Sequence, residues 1–172
     1  MSISVHPVDA TSPFVLAIDI GTSSARAILY DATGRAIQHR HAQVPYEIET
    51  GLDGRSTFDA DALRRLTESV IDEVCDEMGN VAVAAVGICC FWHSLVGLDA
   101  HGEPITPVFY WGDNRSVEQV DQLRAALDQQ EWRARSGCMF HSNYWPAKLL
   151  WLQQTDSETF ANVRLWTAPT GV

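Results

Sequence analysis

With 172 residues, 46% of them hydrophobic and 20% charged, the chain is long enough for one well-cored domain and too apolar for wholesale disorder. A formal net charge of −10 disfavours nucleic acid or an anionic membrane as default partner, so an anionic ligand would need a local basic pocket. No run reaches transmembrane length, Met1–Ser12 lacks a signal-peptide core, and Cys75, Cys89, Cys90 and Cys138 show no metal or disulfide spacing, which is consistent with the cytoplasm.

In chain order, residues 1–13 carry two prolines and no periodicity, and read as a flexible leader. In FVLAIDIGTSSARAILYD, Phe14–Asp31, the apolar runs Val15–Ile20 and Ala27–Tyr30 flank a Gly-Thr-Ser-Ser turn, the pattern of a β-hairpin. Gly21 permits a close approach that a side chain would block. Thr22, Ser23 and Ser24 offer hydroxyl and backbone N–H donors beside the carboxylate of Asp19. Donors for phosphate oxygens next to a carboxylate for a divalent cation suit a metal-bound phosphate, with Arg26 adding positive charge. The same residues also suit an ordinary hairpin turn. No P-loop pattern occurs.

Arg35–Val44 continues as a third antiparallel strand, and Pro45–Thr57 reads as a loop. Asp59 is a candidate N-cap for a helix whose apolar stripe is Leu63, Leu66, Val70, Val74 and Met78, ending at Gly79-Asn80. The near-continuous apolar run Val81–Phe91 predicts a central strand covered on both faces. Ser94–Asp99 and Pro104–Trp111 read as strands. Val117, Val120, Leu123, Leu127 and Trp132 form a helical stripe, and Pro146 opens a helix carrying Leu149, Leu150 and Leu152. A short helix follows, capped by Thr155 or Asp156, then a strand at Val163–Ala168. Together these predict an α/β domain with a mixed sheet.

Two further clusters carry chemistry. Trp92 and His93 stand at the end of the buried run, where α/β sheets bind ligands; the indole offers a flat face for a sugar, and the imidazole both donates and accepts. A lone histidine there is more often a satisfied structural one. In Trp111-Gly-Asp-Asn-Arg115, Asp113 can accept from paired hydroxyls and Arg115 can meet a carboxylate with its planar fork, whereas an N-cap with a surface arginine has the same sequence.

DIGTSSARA resembles the first phosphate-binding motif of the sugar-kinase, actin and heat-shock chaperone superfamily, and is most similar to that of the FGGY carbohydrate kinases. ICCFWHSLVGLDAHGEPITP, VFYWGDNRS and WPAKLLWLQQTDSETFANV resemble that family's later segments, in the family's order. The resemblance implies an actin-like (ribonuclease H-like) α/β domain with a mixed five- or six-stranded sheet flanked by helices. It implies phosphate binding at Gly21, Thr22, Ser23, Ser24 and Arg26, a magnesium-facing Asp19, and substrate contacts at Trp92, His93, Trp111, Asp113 and Arg115. ATP and Mg2+ are the implied cofactors, and a small sugar or sugar acid the implied partner; the full-length form would be a candidate homodimer. The Trp-His-Ser and Gly-Cys-Met-Phe-His-Ser stretches look most like gluconokinases, with His93, Arg115 and His141 suited to gluconate; a xylulose or ribulose kinase is the alternative. By the same resemblance, residues 14–172 are an incomplete first domain, and the general base lies in a second domain, so no catalytic base is assigned to this chain. A non-catalytic actin-like binding domain is the rival of another class. A chaperone ATPase fits less well, having no use for the Trp-His-Ser and Trp-Gly-Asp-Asn-Arg clusters.

Overall fold

The computed structural model describes residues 4–78 and 82–171. The chain divides into two compact units, Met1–Glu47 with Asp61–Phe91, and Ile48–Ala60 with Trp92–Val172.

The first unit is built on the anticipated meander. Strands β2 (Phe14–Ile20), β3 (Ser24–Tyr30) and β4 (Ala36–Pro45) pair antiparallel, with Asp19 opposite Arg26 and Ile20 opposite Ala25. Alternation places Leu16, Ile18 and Ile20 inside, together with Ala25, Ala27 and Leu29 of the neighbouring strand. From Ser4 onward the leader is more ordered than its composition predicts. Ser4–Val5 forms β1, parallel to β4, and Val5 is buried. Ala32 N–H also donates to the Thr11 carbonyl, anchoring the segment to the β3–β4 turn. Pairing with a distant strand leaves no periodic trace in so short a run, which is why composition misjudged it. Buried Asp31 organises that turn: it accepts from Thr33 and Arg35, including Arg35 Nη2 at 2.7 Å.

Helix α1 (Ala60–Met78) buries Leu63, Val70 and Val74 of the expected stripe, while the anticipated stop at Gly79-Asn80 lies outside the described residues. Strand β7 (Val83–Cys90) pairs parallel with β2, giving the five-stranded mixed order β1-β4-β3-β2-β7. Here the sequence expectation fails. Among the described residues β7 stands at one edge of the sheet, and Val86 and Ile88 are 60% and 48% exposed although they stand opposite buried Leu16 and Ile18. An uncharged run reports what a strand could bury, whereas its place in the sheet order decides what it does bury. Such an edge lacks the lysines and prolines that normally guard against pairing with another chain. We therefore expect Val86→Lys to change the stability of this chain by no more than about 0.5 kcal/mol while lowering its self-association. Urea midpoints and light scattering test this, and a loss above about 1.5 kcal/mol would mean that the edge is covered.

The second unit holds two small sheets and four helices among the described residues. The segment read as a loop contains β5 (Glu49–Thr50) and β6 (Ser56–Phe58), which pair with each other, and β6 pairs with β9 (Val108–Phe109). β8 (Val96–Leu98) pairs with β10 (Leu165–Thr167). The predicted helical stretch is two helices, α2 (Val117–Ala126) and α3 (Gln129–Ser136), because Asp128 caps the second by accepting from the Gln130 and Glu131 N–H groups. Val117 and Leu127 of the expected stripe are exposed, while Val120 is buried beside Phe140 and Ala147. α4 (Trp145–Thr155) has Pro146 in its first turn, and Asp156 caps α5 (Ser157–Asn162), both as anticipated.

Candidate functional site

In the first unit the turn between β2 and β3 is closed by its own backbone, the Gly21 N–H donating to the Ser24 carbonyl at 2.9 Å. Tyr46, just past β4, braces it twice: its N–H donates to the Ser23 carbonyl at 3.0 Å, and its hydroxyl to the Gly21 carbonyl. Sequence reasoning missed this tyrosine, whose sole local signal is an aromatic residue after Pro45. Of the three hydroxyls expected to face a phosphate, Thr22 and Ser23 are exposed at the tip. Ser24 is buried and accepts from Gln43 Nε2 at 3.0 Å. A Cβ at Gly21 would stand 3.4 Å from both Arg26 Nη2 and the Ser24 carbonyl oxygen, in van der Waals contact with the guanidinium at the turn.

Asp19 ends β2 with its side chain 46% exposed, 3.5 Å from Arg26 Nη2. Its other oxygen accepts from the Cys89 thiol at 3.3 Å, and burial together with the adjacent Asp19 pushes that thiol's pKa up, keeping it a donor. Among the described residues no three His, Cys, Asp or Glu side chains converge to hold a metal. One accessible carboxylate beside exposed hydroxyls nonetheless fits Mg2+, which keeps several waters and takes phosphate oxygens as ligands instead of needing a protein cage.

The second unit gathers the aromatic and imidazole groups. His93 has a left-handed backbone, φ 63°, a conformation that costs a residue other than glycine about 1–3 kcal/mol and often marks a functional position. Its ring lies 4.5 Å from Tyr144, which is 5.7 Å from His141, while Trp92 stands edge-on to His93 at 6.1 Å. Burial, and then the neighbouring His141, hold the His93 pKa below its ordinary value, so at neutral pH it is an uncharged donor and acceptor. Trp92 and Trp111 are 78% and 41% exposed. Tyr144 was not anticipated, because only packing sets it against His93. Ser94 is fully buried, its carbonyl accepting from Trp145 Nε1 at 3.2 Å, and its hydroxyl lacks a partner among the described residues.

Asp113 and Arg115 face each other. Arg115 donates from Nε to Oδ1 at 3.0 Å and from Nη2 to Oδ2 at 2.6 Å, and its guanidinium lies 4.4 Å over the Trp151 ring. Asp113, buried, also accepts the Ser56 N–H at 3.1 Å and the Arg115 N–H at 3.2 Å. The fork that sequence reasoning aimed at a ligand carboxylate is thus turned onto an internal one, since a buried carboxylate without a cation is costly. Lys148 completes the group. It is 2% exposed and donates from Nζ to the Tyr110 and Asp113 carbonyls at 3.0 and 2.7 Å. Desolvation pushes its pKa down to about 8, partly opposed by Asp113 and reinforced by Arg115.

Residues 14–171 match the N-terminal domain of the FGGY family of carbohydrate kinases. A xylulose kinase of Streptomyces rubiginosus is 33% identical over 168 residues, covering 93% of this chain and 32% of that protein. A gluconokinase of Bacillus subtilis is 22% identical over 145 residues, covering 84% and 28%. In structure, the xylulose kinase of Rhodospirillum rubrum superposes with a TM-score of 0.85 at 22% identity, over 92% of this chain and 32% of that one. The chain thus spans about a third of the relatives it matches, and its α/β architecture is that of their actin-like fold. It belongs to the FGGY family of carbohydrate kinases.

Proposed function

We propose that this chain supplies phosphate- and sugar-binding groups to an ATP-dependent kinase that phosphorylates a hydroxyl of a neutral ketopentose such as xylulose. The supporting observation is the uncharged character of the groups on offer: Trp92, His93 and half-buried Tyr144 stand together and Trp111 is exposed in the same unit, all offering flat faces or hydrogen bonds, while Arg115 is spent on Asp113. The xylulose kinases among the relatives support the same choice. Gluconate, the reading suggested by the Trp-His-Ser stretch, would need a cation for its carboxylate, and these groups do not offer one. At the hairpin, the exposed donors of Thr22 and Ser23 would receive nucleotide phosphate, with Asp19 oriented toward the metal and Arg26 balancing charge. Mg2+, when bound, neutralises charge developing on the transferred phosphoryl group. The remaining work in such a transfer is positioning, to which this chain would contribute by binding phosphate and sugar. The general base is placed in the part of the enzyme beyond this domain, and the cytoplasm is the proposed compartment.

The test is a titration of this chain with xylulose, ribulose and gluconate, read at the indole N–H signals of Trp92 and Trp111. Xylulose or ribulose is expected to shift both signals, with gluconate at least tenfold weaker. Tighter gluconate binding would overturn the substrate assignment, and unresponsive indoles would overturn the placement of the sugar.

A further inference from the structure

Tyr110-Trp111-Gly112-Asp113 is a one-step turn, closed by the Asp113 N–H donating to the Tyr110 carbonyl at 3.0 Å. Trp111 occupies its first corner. Gly112 occupies the second, where a Cβ would stand 3.3 Å from the Tyr110 ring. One side chain from elsewhere grips both ends: Lys148 on α4 donates to the carbonyl of the turn's first residue and to that of its last. We propose that Lys148 is a positioning residue that clamps this turn and so fixes the direction of Trp111. Its functional consequence rests on the reading of Trp111 as a sugar contact.

The physical case is one of cost. A lysine is almost never fully buried without recompense, and burying its charge is expensive. An apolar side chain of similar length would fill the same space without that penalty. The ammonium is directed at two carbonyls, so what it adds beyond volume is tethering of the turn. The carboxylate of Asp113 does not hold those carbonyls; it is saturated by Ser56 and Arg115. The charged groups acting on Lys148 are Asp113, the last residue of the turn, and Arg115, two residues beyond it.

The experiment compares the wild-type chain with Lys148→Met, which keeps the bulk and removes the donors. The melting midpoint at pH 7 is expected to stay within a few degrees or rise. The Asp113 amide should exchange at least tenfold faster, and the Trp111 indole signal should broaden or split, while amides of β2 and β3 keep their rates. A pH series supplies a second readout. Between about 8 and 10.5 the unfolded chain holds a proton on Lys148 that the folded chain has released, so stability climbs with pH across that window. That climb should be absent in Lys148→Met. Unchanged Asp113 exchange and an unchanged Trp111 signal in the variant would overturn the clamp. Should the variant not fold, the wild type still decides. Its Trp111 and Asp113 signals must move with the titration of Lys148, and flat signals through that titration would overturn the proposal. With xylulose added, loss of the clamp should weaken binding at least tenfold. If no sugar perturbs the wild-type chain, the sugar reading fails, while exchange and indole signals still decide the clamp.

Discussion

Asp113→Ala is expected to cost the chain about 3–5 kcal/mol, because removing one member of a buried charge pair strands the other. Four donors lose their acceptor at once: the Ser56 and Arg115 N–H groups and two guanidinium nitrogens of Arg115. Lys148 loses its favourable charge partner while Arg115 stays beside it. For a chain of this length the loss corresponds to a fall of roughly 10 °C in the melting midpoint. Asp113→Asn should lie between, since one amide oxygen still accepts but the charge that balanced Arg115 is gone. Thermal and urea unfolding provide the measurement. A loss below about 1 kcal/mol for the alanine variant would mean that the pair is replaceable by water, and that Arg115 is freer to meet a ligand than its geometry suggests.

In a full-length kinase carrying this domain, Asp19→Asn is expected to lower kcat by at least about a hundredfold while leaving the KM for sugar nearly unchanged. The substitution keeps the size and the hydrogen-bonding oxygen that Cys89 meets, and removes the charge that would face the metal. A hundredfold loss corresponds to about 2.7 kcal/mol of transition-state stabilisation. The expectation follows from position: Asp19 is half-exposed at the strand end beside the open hydroxyls of Thr22 and Ser23, in the first unit, whereas the aromatic and imidazole cluster is in the second. Steady-state kinetics with sugar and with Mg-ATP varied in turn separate the outcomes. Unchanged kcat with a raised sugar KM would move Asp19 to the sugar-binding machinery.

The amino-acid sequence by itself determined the elements whose signals are local. The β2–β3 hairpin was legible because apolar runs flank a Gly-Thr-Ser-Ser turn, and α4 and α5 because Pro146 and Asp156 mark their starts. The family was legible for a related reason: its motifs are contiguous, and they recur in order from Phe14 onward. What only tertiary structure decided depends on partners far along the chain. Val83–Cys90 reads as a buried strand, yet the sheet order puts it at an edge, a property of its neighbours and not of its residues. Arg115 could have faced a ligand or Asp113, and the burial of Asp113 beside Ser56, 57 positions away, directs the fork inward. The Ser24 hydroxyl turns to Gln43, and Tyr46 braces the β2–β3 turn, because the β4 pairing carries both residues there. Nothing in its local sequence marks Lys148 as buried, since a charged side chain normally stays in water. It is buried because the two carbonyls it grips, 35 and 38 positions away, come within its reach only when the unit folds.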